Sequence, residues 1–375
     1  VYIYRGGFNM DANPDNDFEG EVGGDRFGWS IAGAGDMNRD GRDDLVVGAP
    51  YNDEAGFDVG RAYLFVGAGS VSSMGPDPDV IWTGEAGGGP TNTTNFSAFA
   101  PDDQPINGPG FGYSVANLLD FRGDSRAAVA VGAPGQNGAQ GRAYLFIAAS
   151  SSNQLPLSTP HVTFTNNTSN EEFGWSVANG GYINSGSQAD LLVGAPGAFG
   201  NRGTVHVYYG SSSTSGDVSN ANLERFQGIS GYRFGFAVAG AGDVDGGGGN
   251  WLVGSPTEAT AGRDAGQVYL YAGTSSSPTA IGPQGGGSAP VAEDFWGFSL
   301  DGLFGDLDGD GRDEFLVGAP RGNAPDNAVR GTVALVSSGT RIVPTPSVRL
   351  AGARREGTRA VVSFDANLHG DPDQI

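Results

Sequence analysis

The sequence predicts an all-β chain built from one repeated four-stranded unit, and three observations carry that prediction. One stretch recurs five times in 375 residues: FGWSIAGAGDMNRDGRDDLVVGAP at 27–50, with further copies at 111–134, 173–196, 234–256 and 296–320. The prolines that close these copies lie 84, 62, 60 and 64 residues apart, and a period of that size with strand-like content belongs to stacked or radial repeats. The 66 glycines and 21 prolines fall at fixed places between short apolar runs, where they act as turn punctuation rather than as linker.

Within a unit the elements follow in order. FGWSIAGAG reads as a first strand, DLVVGAP as a second and GRAYLFVG, from Gly60, as a third. DVIWTGE (79–85) occupies a fourth position, taken later by the runs at 161–166, 223–228 and 347–352. Four strands of five or six residues with short turns need roughly 50–60 residues, which the spacing supplies. The first strand is small (Ser, Ala, Gly), whereas the third carries Tyr, Leu and Phe. Sheets converging on a crowded axis tolerate only small side chains innermost, so the architecture predicted is a β-propeller of four-stranded blades.

The whole of 1–375 is expected to be a single propeller, with units starting near 27, 111, 173, 234 and 296. VYIYRGG at the start matches the third-strand run, so 1–26 reads as half a blade. Residues 341–375 are expected to supply closing strands, with a first strand from within 357–375 completing a composite blade. That makes six countable blades. The longest spacing holds an insertion at 84–110, polar and rich in Gly and Pro, which reads as an exposed loop of the kind that carries binding.

Charge narrows the partners. The net charge is −22 with no lysine, which repels phosphate backbones, so nucleic acid is excluded as a partner. There is no cysteine, hence neither a disulfide framework nor a thiolate metal site. No run of 18 apolar residues spans a membrane in this chain. The chain opens on Val1 without a signal peptide, which suggests a processed or excised segment. Sequons at Asn92, Asn95, Asn166 and Asn167 would accept glycans on a secreted protein.

Between first and second strands lie acidic loops. DMNRDGRDD places Asp36, Asn38, Asp40 and Asp44 at positions 1, 3, 5 and 9, with Gly41 at 6; DLDGDGRDE repeats this with Asp306, Asp308, Asp310, Gly311 and Glu314. Alternate oxygens of a tight loop can converge on one cation. Arg42 and Arg312 are expected to add backbone carbonyls while their side chains point away. Hard oxygen donors without His or Cys select Ca²⁺. Two calcium ions are expected. A third loop opens on Asp243 and Asp245 but is one residue shorter and runs into GGGG; the loops at Asp120/Asp124 and Asn184/Asp190 are further reduced.

Phe27-Gly28, the 36–44 loop and Gly48-Ala49-Pro50, with their counterparts through Pro320, resemble the FG-GAP repeat of the integrin α-subunit propeller over roughly residues 1–350. The resemblance implies seven blades, calcium in hairpin loops on one face, and adhesion or ligand recognition at the cell surface. The expected function is a calcium-stabilised extracellular module of adhesion, recognition or assembly, meeting a protein or glycan ligand or another copy of itself. It is expected not to be an enzyme: the histidines are only His161, His206 and His369, with no serine elbow or HExxH motif. The alternatives are a lectin, with Trp82, Trp175 or Trp296 stacking on sugars, or the propeller part of a polysaccharide-acting enzyme.

Overall fold

The computed structural model describes residues 1–4, 13–87, 108–166, 168–211, 221–225, 230–282, 294–302, 305–306, 309–321, 332–336, 348–356 and 359–366, with backbone alone at 332, 348–356 and 359–366. Most of the insertion at 84–110 lies outside these residues.

The chain is nearly all β, and its strands pair antiparallel in sequence order. Ser30–Gly35, Asp44–Ala49, Arg61–Phe65 and Val80–Thr83 form the first sheet. Ser114–Asn117, Ala128–Ala133, Arg142–Ile147 and Val162–Thr165 form the second. Ser176–Asn179, Leu191–Ala195, Thr204–Tyr208 and Leu223–Arg225 form the third, and Ala237–Gly242, Asn250–Ser255, Gln267–Ala272 and Thr279–Ile281 the fourth. The fifth has three strands among the described residues, Ser299–Asp301, Phe315–Ala319 and Thr332–Val336. First strands of successive units pack side by side, so the sheets are set as propeller blades.

At the chain ends, Tyr2–Ile3 pairs with Asn16–Asp17, and Val348–Glu356 pairs with Arg359–Ala366. The second pairing corrects two expectations. Among the described residues, 348–352 of the run expected at 347–352 are not hydrogen-bonded to the fifth sheet as its fourth strand, and the run from Arg359 meets its immediate neighbour instead of entering a composite blade. Only two residues separate the runs, so a local hairpin closes with little loop entropy.

The repeated motif is the seam between blades. The FG glycines, Gly28, Gly112, Gly174, Gly235 and Gly297, sit at φ +84° to +89°, a region that strains any L side chain. Each donates its N–H to the glycine of its own unit's GAP sequence, as in Gly112 to Gly132 (3.0 Å). Its carbonyl meets the preceding blade. A Cβ built on Gly132 would stand 2.0 Å from the oxygen of Gly174, and one on Gly48 2.0 Å from that of Gly112. In the second to fifth units the aromatic residue before the FG glycine adds a second tie: the N–H of Phe111 donates to Val59 (3.0 Å) and that of Phe234 to Arg202 (3.0 Å). First-strand serines complete the seam, Ser30, Ser114 and Ser176 donating Oγ to the next unit's FG glycine at 2.8, 3.0 and 2.9 Å.

Aromatic packing follows the same period. The FG phenylalanines stand edge-on to the ring at the third position of the third strand: Phe27 on Tyr63 (5.4 Å), Phe111 on Tyr144 (5.3 Å), Phe173 on His206 (5.2 Å) and Phe234 on Tyr269 (5.5 Å). The residues after FG form a continuous series, Trp29, Tyr113, Trp175, Phe236 and Phe298, at 5.4, 4.7, 5.3 and 4.8 Å between centroids. Between the first and second blades Trp82 is fully buried and stacked on Phe146 at 4.2 Å.

Gly132→Ala should therefore cost ~2 kcal/mol or more by chemical denaturation, because neither backbone can withdraw. Gly23→Ala, with nothing within 4 Å of its Cβ, should change stability by less than ~0.5 kcal/mol. His206 generates a pH dependence. Burial lowers its pKa to about 4. The unfolded chain then binds a proton near pH 6.5 that the folded chain refuses, so stability falls as pH drops from about 6.5 toward 4. His206→Phe should remove on the order of 2–3 kcal/mol of that loss, read as a urea midpoint difference that widens toward acid pH.

Candidate functional site

The loops between first and second strands begin where the chain leaves the inner strand and must turn back at once. The carboxylate at position 1 shapes that turn. Asp36 accepts from the N–H groups of Asp40 (2.9 Å) and Gly41 (2.8 Å). Asp306 accepts from Gly309, Asp310 and Gly311 at 2.7, 3.0 and 2.8 Å, so the first and fifth loops share one fold. At position 5, Asp40 and Asp310 accept the N–H of Arg42 (2.9 Å) and Arg312 (3.0 Å). Asn38 donates to Asp40 at 3.2 Å, and Asp308 lies outside the described residues.

In the fifth loop Asp306, Asp310 and Glu314 bring one carboxylate oxygen each within 4.8 Å of one another, two of them exposed and Glu314 buried. Oxygens at such separations can share a cation bonded at about 2.4 Å, the span of calcium coordination. The donor set is hard oxygen throughout, and the residues present fit that ion. Among the described residues no second such triad occurs, and Asp36, Asp40 and Asp44 do not close to the same distance.

The reason lies in position 9. Asp44 is 3 % exposed, and its two oxygens accept from Met37 (2.8 Å) inside the loop and from Gly67 (2.8 Å) past the third strand. Burial pushes its carboxyl up to about 6, and the negative charges of Asp36 and Asp40 add to the rise. The Arg42 expectation also needs correction. Its guanidinium does not point away; Nη1 folds back onto Asp40 at 3.1 Å. The backbone carbonyls of Met37 and Asn38 accept from Ala149 (2.9 Å) and Gln154 (3.3 Å) of the next blade's linker.

The reduced loops keep parts of this design. Asp190, at position 9 of the third loop, accepts from Asn184 (3.3 Å) and Gly210 (2.9 Å), as Asp44 does from its own loop and third-strand end. In the fourth loop Asn250 takes that place, accepting from Val244 at 2.7 Å, while Asp243 accepts from Gly246 and Gly248 at 2.8 and 2.9 Å. In the second loop Arg126 grips Asp124 at 2.7 Å and holds its carboxyl below the usual range. Sequence reasoning missed the position 9 staple and Asp313, which accepts from Asp243 N–H at 2.7 Å and joins the fifth loop to the fourth. The signal was present in the persistence of Asp190 in a loop that keeps only Asn184 beside it.

The exposed-tryptophan reading of a lectin is overturned. Trp82 is fully buried and Trp175 and Trp296 are 5 % exposed; the Trp82 and Trp296 indoles donate to backbone carbonyls of Leu157 and Ile281. His206 lies in the third strand of its blade, and His161 accepts from Ile147 at 3.2 Å. His369, Asn92, Asn95 and Asn167 lie outside the described residues. Asn166 donates its side-chain amide to Glu171, so the nitrogen that would carry a glycan is engaged.

Comparison with known proteins agrees with the seam. The FG-GAP repeat family matches residues 27–65 and 300–336. Phosphatidylinositol-glycan-specific phospholipase D of Bos taurus is 34 % identical over 199 residues, covering 51 % of this chain and 21 % of that protein. The Homo sapiens protein of that name is 31 % identical, covering 53 % and 22 %. Integrin alpha-PS2 of Drosophila melanogaster is 31 % identical, covering 46 % and 12 %. The chain thus spans about a fifth of the length of the phospholipase D relatives that it matches. These names correct the expectation that the chain is not an enzyme: relatives matching half of it carry an enzyme's name, and the non-catalytic assignment is withdrawn. The absence of familiar catalytic motifs spoke only for the residues in hand.

Two substitutions separate stapling from ion binding. Asp190→Ala should lower stability by ~1–3 kcal/mol equally with calcium and with chelator, since it strands backbone donors. Asp310→Ala should leave stability in chelator nearly unchanged and remove calcium's effect on melting from the fifth loop, read by differential scanning calorimetry.

Proposed function

We propose that these FG-GAP repeats form a calcium-stabilised extracellular propeller that recognises a protein or glycan ligand. The observation that carries the reading is the carboxylate triad of Asp306, Asp310 and Glu314 on a loop whose fold recurs at Asp36. Such a cluster repels itself until a divalent cation neutralises it, so calcium binding stabilises the folded form by mass action. The first loop holds a second ion through Asp36, Asn38, Asp40, Asp44 and the carbonyl of Arg42, with Arg42's guanidinium displaced when the ion enters. In the fifth loop Asp308 and the carbonyl of Arg312 complete the shell. The relation to integrin alpha subunits supports a protein ligand and a place at the cell surface or in the matrix.

A second reading follows from the phospholipase D relatives: the propeller serves an enzyme acting on phosphatidylinositol-glycan anchors, as its recognition part or with a share in the chemistry. Release of an anchored reporter from vesicles by this chain would support it, and absence of release would leave recognition alone.

Retention of the immobilised chain on cell surfaces and extracellular matrix is expected in millimolar calcium and should fall ~10-fold or more in chelator. Equal retention in both, or none on either surface, would sink the calcium-dependent recognition reading.

A further inference from the structure

The third blade departs from its neighbours at one spot. In the first blade Arg61 and Tyr63, at the first and third positions of the third strand, meet Glu21 at 2.6 and 2.9 Å. In the second, Arg142 pairs with Glu85 at 2.5 Å. In the fourth, the Tyr269 hydroxyl donates to Glu258 at 2.7 Å. The third blade has Thr204 and His206 at these positions, so both the guanidinium and the phenol are gone. The carboxylates are not. Glu171 and Glu224 remain, and with His206 they line a cavity of about 670 Å³.

Three properties of this cavity define its occupant. Its lining includes no arginine, and Glu171 is 7 % exposed; burial pushes its carboxyl up, with Glu224 adding to the rise. Glu171 accepts the amide of Asn166, a neutral partner that leaves its charge unanswered, whereas Glu172 beside it is paired with Arg233 at 2.7 Å. The His206 Nε2 is shielded from solvent and has no hydrogen-bond partner among the described residues. Around these groups stand Asn170 and Asn201, and the rim carries Phe199, 61 % exposed.

We infer that the third blade holds a binding site for an amine-bearing saccharide. The ammonium takes the place that Arg61 occupies in the first blade, between Glu171 and Glu224. The hydroxyls meet His206 Nε2 and the two asparagine amides, and one face of the ring lies on Phe199, as sugars do on aromatic surfaces. Anionic sugars are repelled by the same carboxylates. A plain alkyl cation leaves the amides and His206 without partners, which costs affinity. This inference rests on the glycan arm of the recognition reading above.

The test is titration calorimetry of the full chain in calcium with deacetylated chitotriose, its fully N-acetylated form, spermidine and arginine methyl ester. Deacetylated chitotriose should bind, with the acetylated form and the two non-sugar cations each ~10-fold weaker or more, the worth of a charge-assisted hydrogen bond. Glu171→Gln and Glu224→Gln should each weaken it ~10-fold or more. His206→Tyr, which restores the neighbours' phenol, should abolish binding with melting temperature kept or raised. No binding, equal binding of both chitotrioses, tighter binding of spermidine or of the arginine ester, or wild-type affinity in His206→Tyr would each overturn the site. If retention on cells or matrix persists while the sugar fails, the site alone falls; sugar binding without retention keeps the site and removes the wider reading.

Discussion

A carbonyl oxygen set against a glycine Cα holds this architecture together. In each unit the second glycine-containing motif, GAP or GSP, lies where the next unit's FG glycine turns its carbonyl inward, and a Cβ there would stand 2.0 to 2.1 Å from that oxygen in the first four units. Contact so close brings the inner strands near enough for serine hydroxyls to bridge them and for the aromatic series from Trp29 to Phe298 to touch without gaps. Packing at this density resists both deletion and enlargement of side chains. The repeat is therefore conserved within the chain where backbones meet, and varied where only side chains do.

The acidic loops sit on that frame and use their carboxylates in two ways. Positions 1 and 9 satisfy backbone N–H groups and hold the turn whether or not an ion is present, which is why Asp190 remains in a loop that has lost the carboxylates at positions 1 and 5. Position 5 accepts a further backbone N–H and brings a charge that its surroundings must answer. Each blade handles that charge differently: Arg126 answers Asp124 in the second loop, Arg42 leans on Asp40 in the first, and the fifth gathers Asp306, Asp310 and Glu314 around a common point. Clustered carboxylates repel one another at neutral pH, so a cation held among them would be linked to folding.

A rigid frame also lets one blade change without disturbing the rest. His206 keeps the edge-on contact with Phe173 that tyrosine makes elsewhere, at 5.2 Å against 5.3 to 5.5 Å in the neighbouring units that carry tyrosine. The core is thus preserved while the far end of the side chain is shortened. What opens is a cavity at the blade's edge, where loops between blades and between second and third strands meet. Recognition on such scaffolds resides in these local departures rather than in the repeat.

Sequence alone determined the repeat, its four-strand content, the blade arrangement and the loops that could hold an ion, because glycine, proline and aspartate at fixed spacing report local backbone geometry. Phe27-Gly28 and Gly48-Ala49-Pro50 were legible for that reason, and so was the small inner strand. Tertiary structure decided what depends on distance between residues far apart in the chain. It placed Trp82 inside a seam rather than on a surface, turned Arg42 back onto Asp40, and paired the run at 348–356 with its neighbour instead of the fifth sheet. It also showed that Asp313 reaches the fourth loop and that Glu171 and Glu224 face one cavity. Local patterns fix dihedral angles, whereas burial and charge pairing are set by which surfaces the folded chain brings together.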